Sequence, residues 1–355
     1  MRFLSKLCVL LSCAFLIGCG SQPSYKYKIA VIPKGLTHEH WQSVHRGAEK
    51  AASDLAAQGI RVKILWDGPR KENEADEQNG LIRSKRSMGI HGLALAPQHS
   101  KLMIPQVDAT VKKGIPVVLL DSNLDADALK ENPKLRIKYV ATNNYNGGRL
   151  AAEKLLKLLN KDGKTGPKLI LFRYAPGSES TGQREKGFLD YVNEQIKAGK
   201  KITILSENEY AGATVETAEK KASPLLTRLA DKGIDGIFAS NESATTGMLN
   251  ALNSKKLTPR PRIVGFDSSV TLQQAIREGT LDGTVIQDPF RMGYLSVWIL
   301  VQHLEGYDVS KGGYDLSTGE HFLTKENLDS PEMRNLFIKE EQLKRKIKVP
   351  TYEKK

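Results

Sequence analysis

The sequence predicts an α/β fold of two doubly wound lobes with a ligand cleft between them. Three observations lead there. Short β-branched runs alternate with longer amphipathic stretches along most of the 355 residues, as in parallel sheets covered on both faces. The alternation runs through twice, and the halves echo each other. Gly89-Ile90-His91-Gly92-Leu93 matches Gly233-Ile234-Asp235-Gly236-Ile237, and the strand after each ends in an aspartate, Asp121 or Asp267. The chain is also longer than one hydrophobic core usually serves.

In order, residues 29–32 read as a strand. Residues 40–58 follow as a helix, with Trp41, Val44, Ala48, Ala51 and Leu55 at steps of three and four and Gly59 as its stop. Strands at 62–66, 93–96, 117–120 and 139–141 enclose helices at 74–87 and 101–113. The second half has strands at 169–172, 202–205, 237–239 and 263–266, with helices at 182–198, 215–232 and 244–255. A crossing at 284–287 and a helix at 290–304 come next, and the chain from Gly306 on reads as loop-rich and polar. The expected first lobe is 27–141 plus about 288–320. The second is 142–287 plus about 321–345, and 346–355 is a polar tail. Crossings between lobes are expected near Ala141, 261–266 and Gln287.

The first 18 residues carry Arg2 and Lys6, no acid, and an apolar run from 7 to 17 broken only by Ser12. That run is shorter than the ~20 residues a spanning helix needs, so it reads as a secretory signal. Leu16-Ile17-Gly18-Cys19 resembles the bacterial lipoprotein cleavage pattern. The resemblance implies an acylated Cys19 at the mature N-terminus, a tether over 19–26, and a periplasmic or cell-surface protein held on a membrane. The three cysteines are Cys8, Cys13 and Cys19, which leaves no thiol beyond Cys19 for a disulfide, a zinc site or a nucleophile. The formal charge of +13 suits a nucleic acid or an anionic membrane surface. Export argues against nucleic acid, and much of the excess is scattered lysine, including the stretch 339–355.

Ligands of open parallel sheets sit beyond the carboxyl ends of the strands. The residues just after the apolar runs are Lys34, His38, His40 and Trp41; Gln98; Asp121 and Asn123; Asn143 and Asn144; Arg173 and Tyr174; and Asn241, Asp267 and Gln287. Arg184 at a helix start and Tyr210 join them. Carboxylates, carboxamides and guanidinium can each bind two neighbouring hydroxyls, and Trp41 and Tyr210 offer faces for a sugar ring. Asn144 and Asn241 also suit helix N-caps. His38, His40 and His45 do not form an HExxH zinc motif, and neither a Walker loop nor Gly-x-Ser-x-Gly occurs, so no metal, cofactor or enzyme is implied. A glycosidase needs two carboxylates ~5–10 Å apart, which Asp121 and Asp267 could supply.

Several segments in one order carry a family resemblance: Ile29 to Pro33, Trp41 to Ala48, Gly114-Ile115-Pro116-Val117 running to Asp121, Asn144 with Gly147-Gly148, Arg184 with Gly187-Phe188, Asn241, Val264 to Asp267, Gln287, and Leu323 to Leu328. From Lys28 to Leu336 the chain resembles the ribose/galactose-type sugar-binding proteins of ABC importers. That implies two Rossmann-like lobes of the type I periplasmic binding protein kind, a monomer that closes on a monosaccharide or polyol, and a permease or sensor as partner. It puts His40 and Trp41 where paired aromatics flank the ring. Asp121, Arg184, Asn241, Asp267 and Gln287 fall at polar ligand contacts, and Tyr210 replaces an aromatic. Ser122, Lys34, His38 and Asn143 depart from the ribose pattern. Ile32-Pro33-Lys34 also resembles the furanone-autoinducer binders, but their Asp-Gln pair is missing from 176–184.

Overall fold

A computed structural model describes residues 24–313 and 315–355. The signal segment and Cys19 lie outside the described residues. The strands are β1 (Tyr27–Ile32), β2 (Val62–Trp66), β3 (Gly92–Leu95), β4 (Val117–Leu120), β5 (Lys138–Ala141), β6 (Lys168–Arg173), β7 (Thr203–Tyr210), β8 (Gly236–Ala239), β9 (Arg262–Phe266), β10 (Gly283–Ile286), β11 (Asp315–Ser317) and β12 (His321–Leu323). Among the described residues they form two six-stranded sheets, ordered β11-β5-β4-β3-β1-β2 and β12-β10-β9-β8-β6-β7. Each has its order reversal beside its first strand, β1 or β6, so the carboxyl ends of the central strands open onto a crevice.

The apolar runs are continuous because both faces of each sheet are buried. In the first sheet Ile29, Val31, Val118 and Leu120 face the helices Glu39–Ala57 and Pro289–Leu304, while Ala30, Ile32, Leu93, Leu95 and Leu119 face Ala75–Ser87 and Ile104–Val111. The second sheet divides likewise. Leu169, Leu171, Phe238 and Phe266 pack against Asn144–Lys161 and Glu179–Lys197, and Ile170, Phe172 and Ile237 pack against Val215–Leu229, Glu242–Lys255 and Val270–Glu278. Asn144–Lys161 and Glu179–Lys197 approach unusually closely. A Cβ on Gly148 would lie 1.9 Å from the Arg184 carbonyl oxygen, and one on Gly187 2.0 Å from that of Tyr145.

Three expectations are corrected. Residues 261–266 do not cross between lobes: β9 lies inside the second sheet, bonded to β8 and β10. The chain passes between sheets after β5, after β10, and at 318–320 between β11 and β12. Thr318 N–H donates to the Ala141 carbonyl at 2.8 Å, which binds the third crossing to the first. The segment after Gly306 is not merely loop, since it holds β11, β12 and the helices Pro331–Phe337 and Lys339–Lys344. Nor is 346–355 a free polar tail. Ile347, Val349 and Tyr352 pack on the first lobe's core, and Lys354 bridges to Tyr307. Alternate apolar side chains there bury one face of an extended strip that composition alone shows as polar.

Candidate ligand-binding cleft

The cleft lies between the carboxyl ends of the two sheets. Lys34, His38, His40, Trp41, Glu72 and Asp121 line it from the first lobe. Tyr174, Ser180, Thr181, Arg184, Asn241, Asp267 and Gln287 line it from the second lobe and its junction. The free space left between these side chains is small, about 30 Å³, well below the ~300–1,000 Å³ typical of small-molecule sites, because the two lobes stand in direct contact around it.

Asp121 and Asp267 face it from equivalent positions. Both are non-glycine residues with left-handed backbones, φ 60° and 73°. That conformation costs about 1–3 kcal/mol and collects at functional sites. Each is held by the next strand. Tyr139 O–H of β5 donates to the Asp121 carbonyl at 3.0 Å, and Thr284 O–H of β10 to the Asp267 carbonyl at 2.9 Å. Asp121 Oδ2 lies 2.8 Å from Lys34 Nζ, and Oδ1 lies 3.2 Å from His40 Nε2. Burial opposes its charge, but Lys34, His40 and Arg184 outweigh burial and hold the carboxyl far below the usual range. Gln287 Nε2 donates to Asp267 Oδ1 at 2.5 Å, and Glu242 N–H to Oδ2 at 3.1 Å.

Arg184 is buried. Its Nε donates to Asn144 Oδ1 at 2.8 Å and its Nη1 to the Ser240 carbonyl at 3.1 Å. The guanidinium lies 3.7 Å from the centre of the Phe266 ring and 3.8 Å from Asp267 Oδ2. Asn241 caps the helix Glu242–Lys255, its Oδ1 accepting from Ala244 N–H at 3.1 Å. His40 and Trp41 meet edge to face at 4.6 Å. The third histidine of that cluster, His45, turns away and stacks on Trp66 at 4.4 Å.

Three proposed contacts do not line the cleft. Gln98 is buried beneath it, donating through Nε2 to the carbonyls of Lys34 and Lys71, and so fixes the loop after β1 rather than reaching the cavity. Asn143, not Asn144, caps Asn144–Lys161: its Oδ1 accepts from Asn146 N–H at 3.0 Å, and its side chain is exposed. Tyr210 stands at the end of edge strand β7, 36% exposed, with the Arg173 guanidinium 5.6 Å from its ring centre. The right-handed sheet twist carries that edge away from the crevice.

Glu72, Ser180 and Thr181 were missed. Glu72 follows β2, and the strand-end rule applied to that strand would have pointed to its loop. Around it the lobes touch directly. Tyr174 O–H donates to Glu72 Oε2 at 2.6 Å, Lys34 Nζ to Ser180 Oγ at 2.8 Å, and Ser180 N–H to Ser122 Oγ at 3.1 Å. Ser122, where the ribose pattern has arginine, thus holds the opposite lobe.

Residues 29–308 match the model of the periplasmic binding protein domain family. The chain belongs to this family. Among its relatives in the family is the D-ribose/D-allose-binding protein of Pseudomonas aeruginosa, 24% identical over 281 residues that cover 79% of this chain and 83% of that one. The periplasmic component of an ABC-type sugar transport system from Hahella chejuensis superposes with a TM-score of 0.74 at 30% identity, covering 84% of this chain and 99% of that one. An ABC transporter solute-binding protein from Agrobacterium vitis with bound D-fucose gives 0.75 at 30% identity, covering 87% and 99%. Among the described residues no helix is long and apolar enough to cross a membrane.

Proposed function

We propose that this protein is the extracytoplasmic solute-binding component of an ABC importer, and that its two lobes close on one uncharged monosaccharide or related polyol. The observation that carries this is the pair of strand-end aspartates, Asp121 and Asp267, facing one small cleft beside Arg184, Asn241, Gln287 and Trp41. These groups accept and donate in pairs, which suits vicinal hydroxyls. The names of the relatives in Pseudomonas and Agrobacterium support a sugar. Lys34 is already neutralised by Asp121, which favours an uncharged ligand over a sugar acid or phosphorylated sugar.

The test is a thermal-shift and calorimetric screen against pentoses, hexoses, inositols, sugar acids and furanones. A true ligand stabilises by RT ln(1+[L]/Kd), about 2.7 kcal/mol at a hundredfold excess over Kd, and is recovered unchanged. A screen in which only furanones or acids stabilise, or in which a sugar is consumed, overturns the proposal. The Cys19 pattern supports a lipid anchor as the membrane attachment. Cys19→Ser should move the protein from the membrane fraction to the soluble one.

A further inference from the structure

Glu72 is the least expected charge in the cleft wall. It belongs to the first lobe, and its side chain is 8% exposed. Oε1 receives the Trp41 indole N–H at 2.7 Å and lies 2.9 Å from His38 Nδ1. Oε2 receives the Tyr174 hydroxyl at 2.6 Å. Trp41 and His38 stand at the start of the first helix, on the same lobe as Glu72, whereas Tyr174 directly follows β6 in the other.

A buried carboxylate is tolerable only when donors satisfy both oxygens. The indole and the histidine satisfy Oε1 within one lobe, in the open or the closed arrangement. The donor on Oε2 comes from the opposite lobe and is present only when the lobes meet. The same carboxylate also fixes the rotation of the Trp41 ring, because the indole has one N–H and it is committed. Gly35 leaves room for this arrangement: a Cβ there would lie 3.1 Å from both the Cγ and the backbone nitrogen of Glu72.

We propose that Glu72 is a positioning residue that couples ring recognition to lobe closure, orienting Trp41 with one oxygen and gripping Tyr174 of the opposite lobe with the other. The ring-recognition half rests on the reading of the cleft as a sugar site; the closure half does not. A bond made only in the closed arrangement slows opening. Its loss therefore raises the ligand dissociation rate and leaves encounter nearly unchanged.

The experiment uses the mature chain labelled at Lys113→Cys and Lys200→Cys, exposed positions on different lobes. Interlobe distances are measured by electron spin resonance. Association and dissociation rates are measured by stopped flow with D-ribose, D-allose and D-fucose as probes. Tyr174→Phe removes only the crossing bond, and Glu72→Gln disturbs both halves. Each should lengthen the mean interlobe distance and raise the dissociation rate on the order of tenfold, the loss expected for a hydrogen bond to a charged group. Association should stay within about twofold, since related variants differ chiefly in dissociation. Because the bond is shared, Glu72→Gln combined with Tyr174→Phe should dissociate no faster than Glu72→Gln alone. A purely structural role would lower the melting temperature without moving the distances. Coupling is overturned if Tyr174→Phe keeps wild-type distances and dissociation, or if the two effects multiply. If no probe binds the wild type, the sugar reading fails, and the interlobe distances of Tyr174→Phe alone decide the coupling.

Discussion

Asp121 and Asp267 are counterparts, each a left-handed residue at the carboxyl end of a central strand with its carbonyl held from the next strand. Their side chains are nevertheless set differently. Asp121 lies within 2.8 Å of the buried Lys34 ammonium. Asp267 is held by the neutral Gln287 amide, with Arg184 at 3.8 Å.

Removing one partner of a buried ion pair strands the other and typically costs about 3–5 kcal/mol. Asp121→Ala should therefore lower the melting temperature sharply as well as weaken binding. Asp267→Ala leaves Arg184, its more distant cation, still bonded to Asn144 and the Ser240 carbonyl, so it should melt nearer wild type while losing ligand affinity about tenfold or more, as for a hydrogen bond to a charged group. Melting curves and calorimetric titrations of both variants check this. Equal destabilisation with unchanged affinity for Asp267→Ala would contradict it.

The pH dependence follows from the groups around Glu72. Burial opposes the charge of His38, but the Glu72 carboxylate prevails and raises His38 to about 9. A raised histidine contributes stability that is complete below its unfolded value near 6.5 and is lost as pH climbs to about 9. Burial likewise opposes ionisation of Glu72, yet His38, Lys34 and the Tyr174 hydroxyl hold it to about 2. Its contribution is complete above 4.5 and is lost as pH falls towards 2. These are two views of one ion pair, worth roughly 3 kcal/mol at most. Glu242 is raised to about 7 by burial beside Asp267 and Glu39, against His38 and His40. It favours the unfolded chain increasingly from 4.5 to about 7. Stability should peak at about pH 5 and decline steadily to about pH 9. His38→Asn should remove most of the decline above about pH 7. Thermal melts from pH 4 to 9.5 measure this, and a flat wild-type profile between 6.5 and 9 would show the ion pair to be wrong.

Gly148 and Gly182 give opposite expectations for one substitution. A Cβ on Gly148 meets the Arg184 carbonyl oxygen at 1.9 Å, so the helices Asn144–Lys161 and Glu179–Lys197 must separate. Gly148→Ala should cost about 1–3 kcal/mol, as overpacking does. It should also weaken binding, because the displaced helix carries Arg184 away from Asn144 and Ser240. Gly182, two residues before Arg184, has nothing within 4 Å of a built Cβ. Gly182→Ala should stabilise by up to about 1 kcal/mol through helix propensity and leave affinity unchanged. Matched melts and titrations separate the two.

What the sequence could show depended on whether burial left a local signature. The central strands were legible because both faces are buried, giving unbroken apolar runs such as Val117-Val118-Leu119-Leu120. Asp121, Arg184, Asn241, Asp267 and Gln287 were legible because strand ends and helix starts fix where side chains converge. Glu72 was not: in Lys71-Glu72-Asn73-Glu74 it looks like solvated charge, and only tertiary contact with Trp41 and Tyr174 buries it. The third crossing falls at the lobe boundary expected near 320, but the strands flanking it were hidden, because β11 and β12 have three residues each and lie at sheet edges, which need little apolar patterning. Tyr210 and Asn143 misled because the strand-end rule gives height along a strand but neither the sheet's twist nor which of two asparagines caps.

The chain's last ten residues are the remaining place where composition and packing part. Ile347, Val349 and Tyr352 lie against the core built from the helices Glu39–Ala57 and Pro289–Leu304. Gln302 Nε2 donates to the Pro350 carbonyl at 3.0 Å, and Asp308 N–H to that of Glu353 at 2.8 Å. The Tyr352 ring covers the buried Lys138 ammonium at 5.2 Å, while Lys138 donates to the Val309 carbonyl at 2.7 Å. Ending the chain at Arg345 uncovers that apolar face and lets water reach Lys138. Three half-buried apolar side chains lost together should cost about 2–4 kcal/mol at ~25 cal/mol per Å². The Arg345–Asp288 ion pair is retained, so the start of Pro289–Leu304 and the cleft beyond it keep their geometry. Ligand affinity should therefore remain within about twofold of wild type, since the truncated segment shares no partner with the cleft. Melting of the truncated protein at the wild-type temperature would show the strip to be surface decoration. A large loss of affinity at unchanged stability would instead tie it to the hinge.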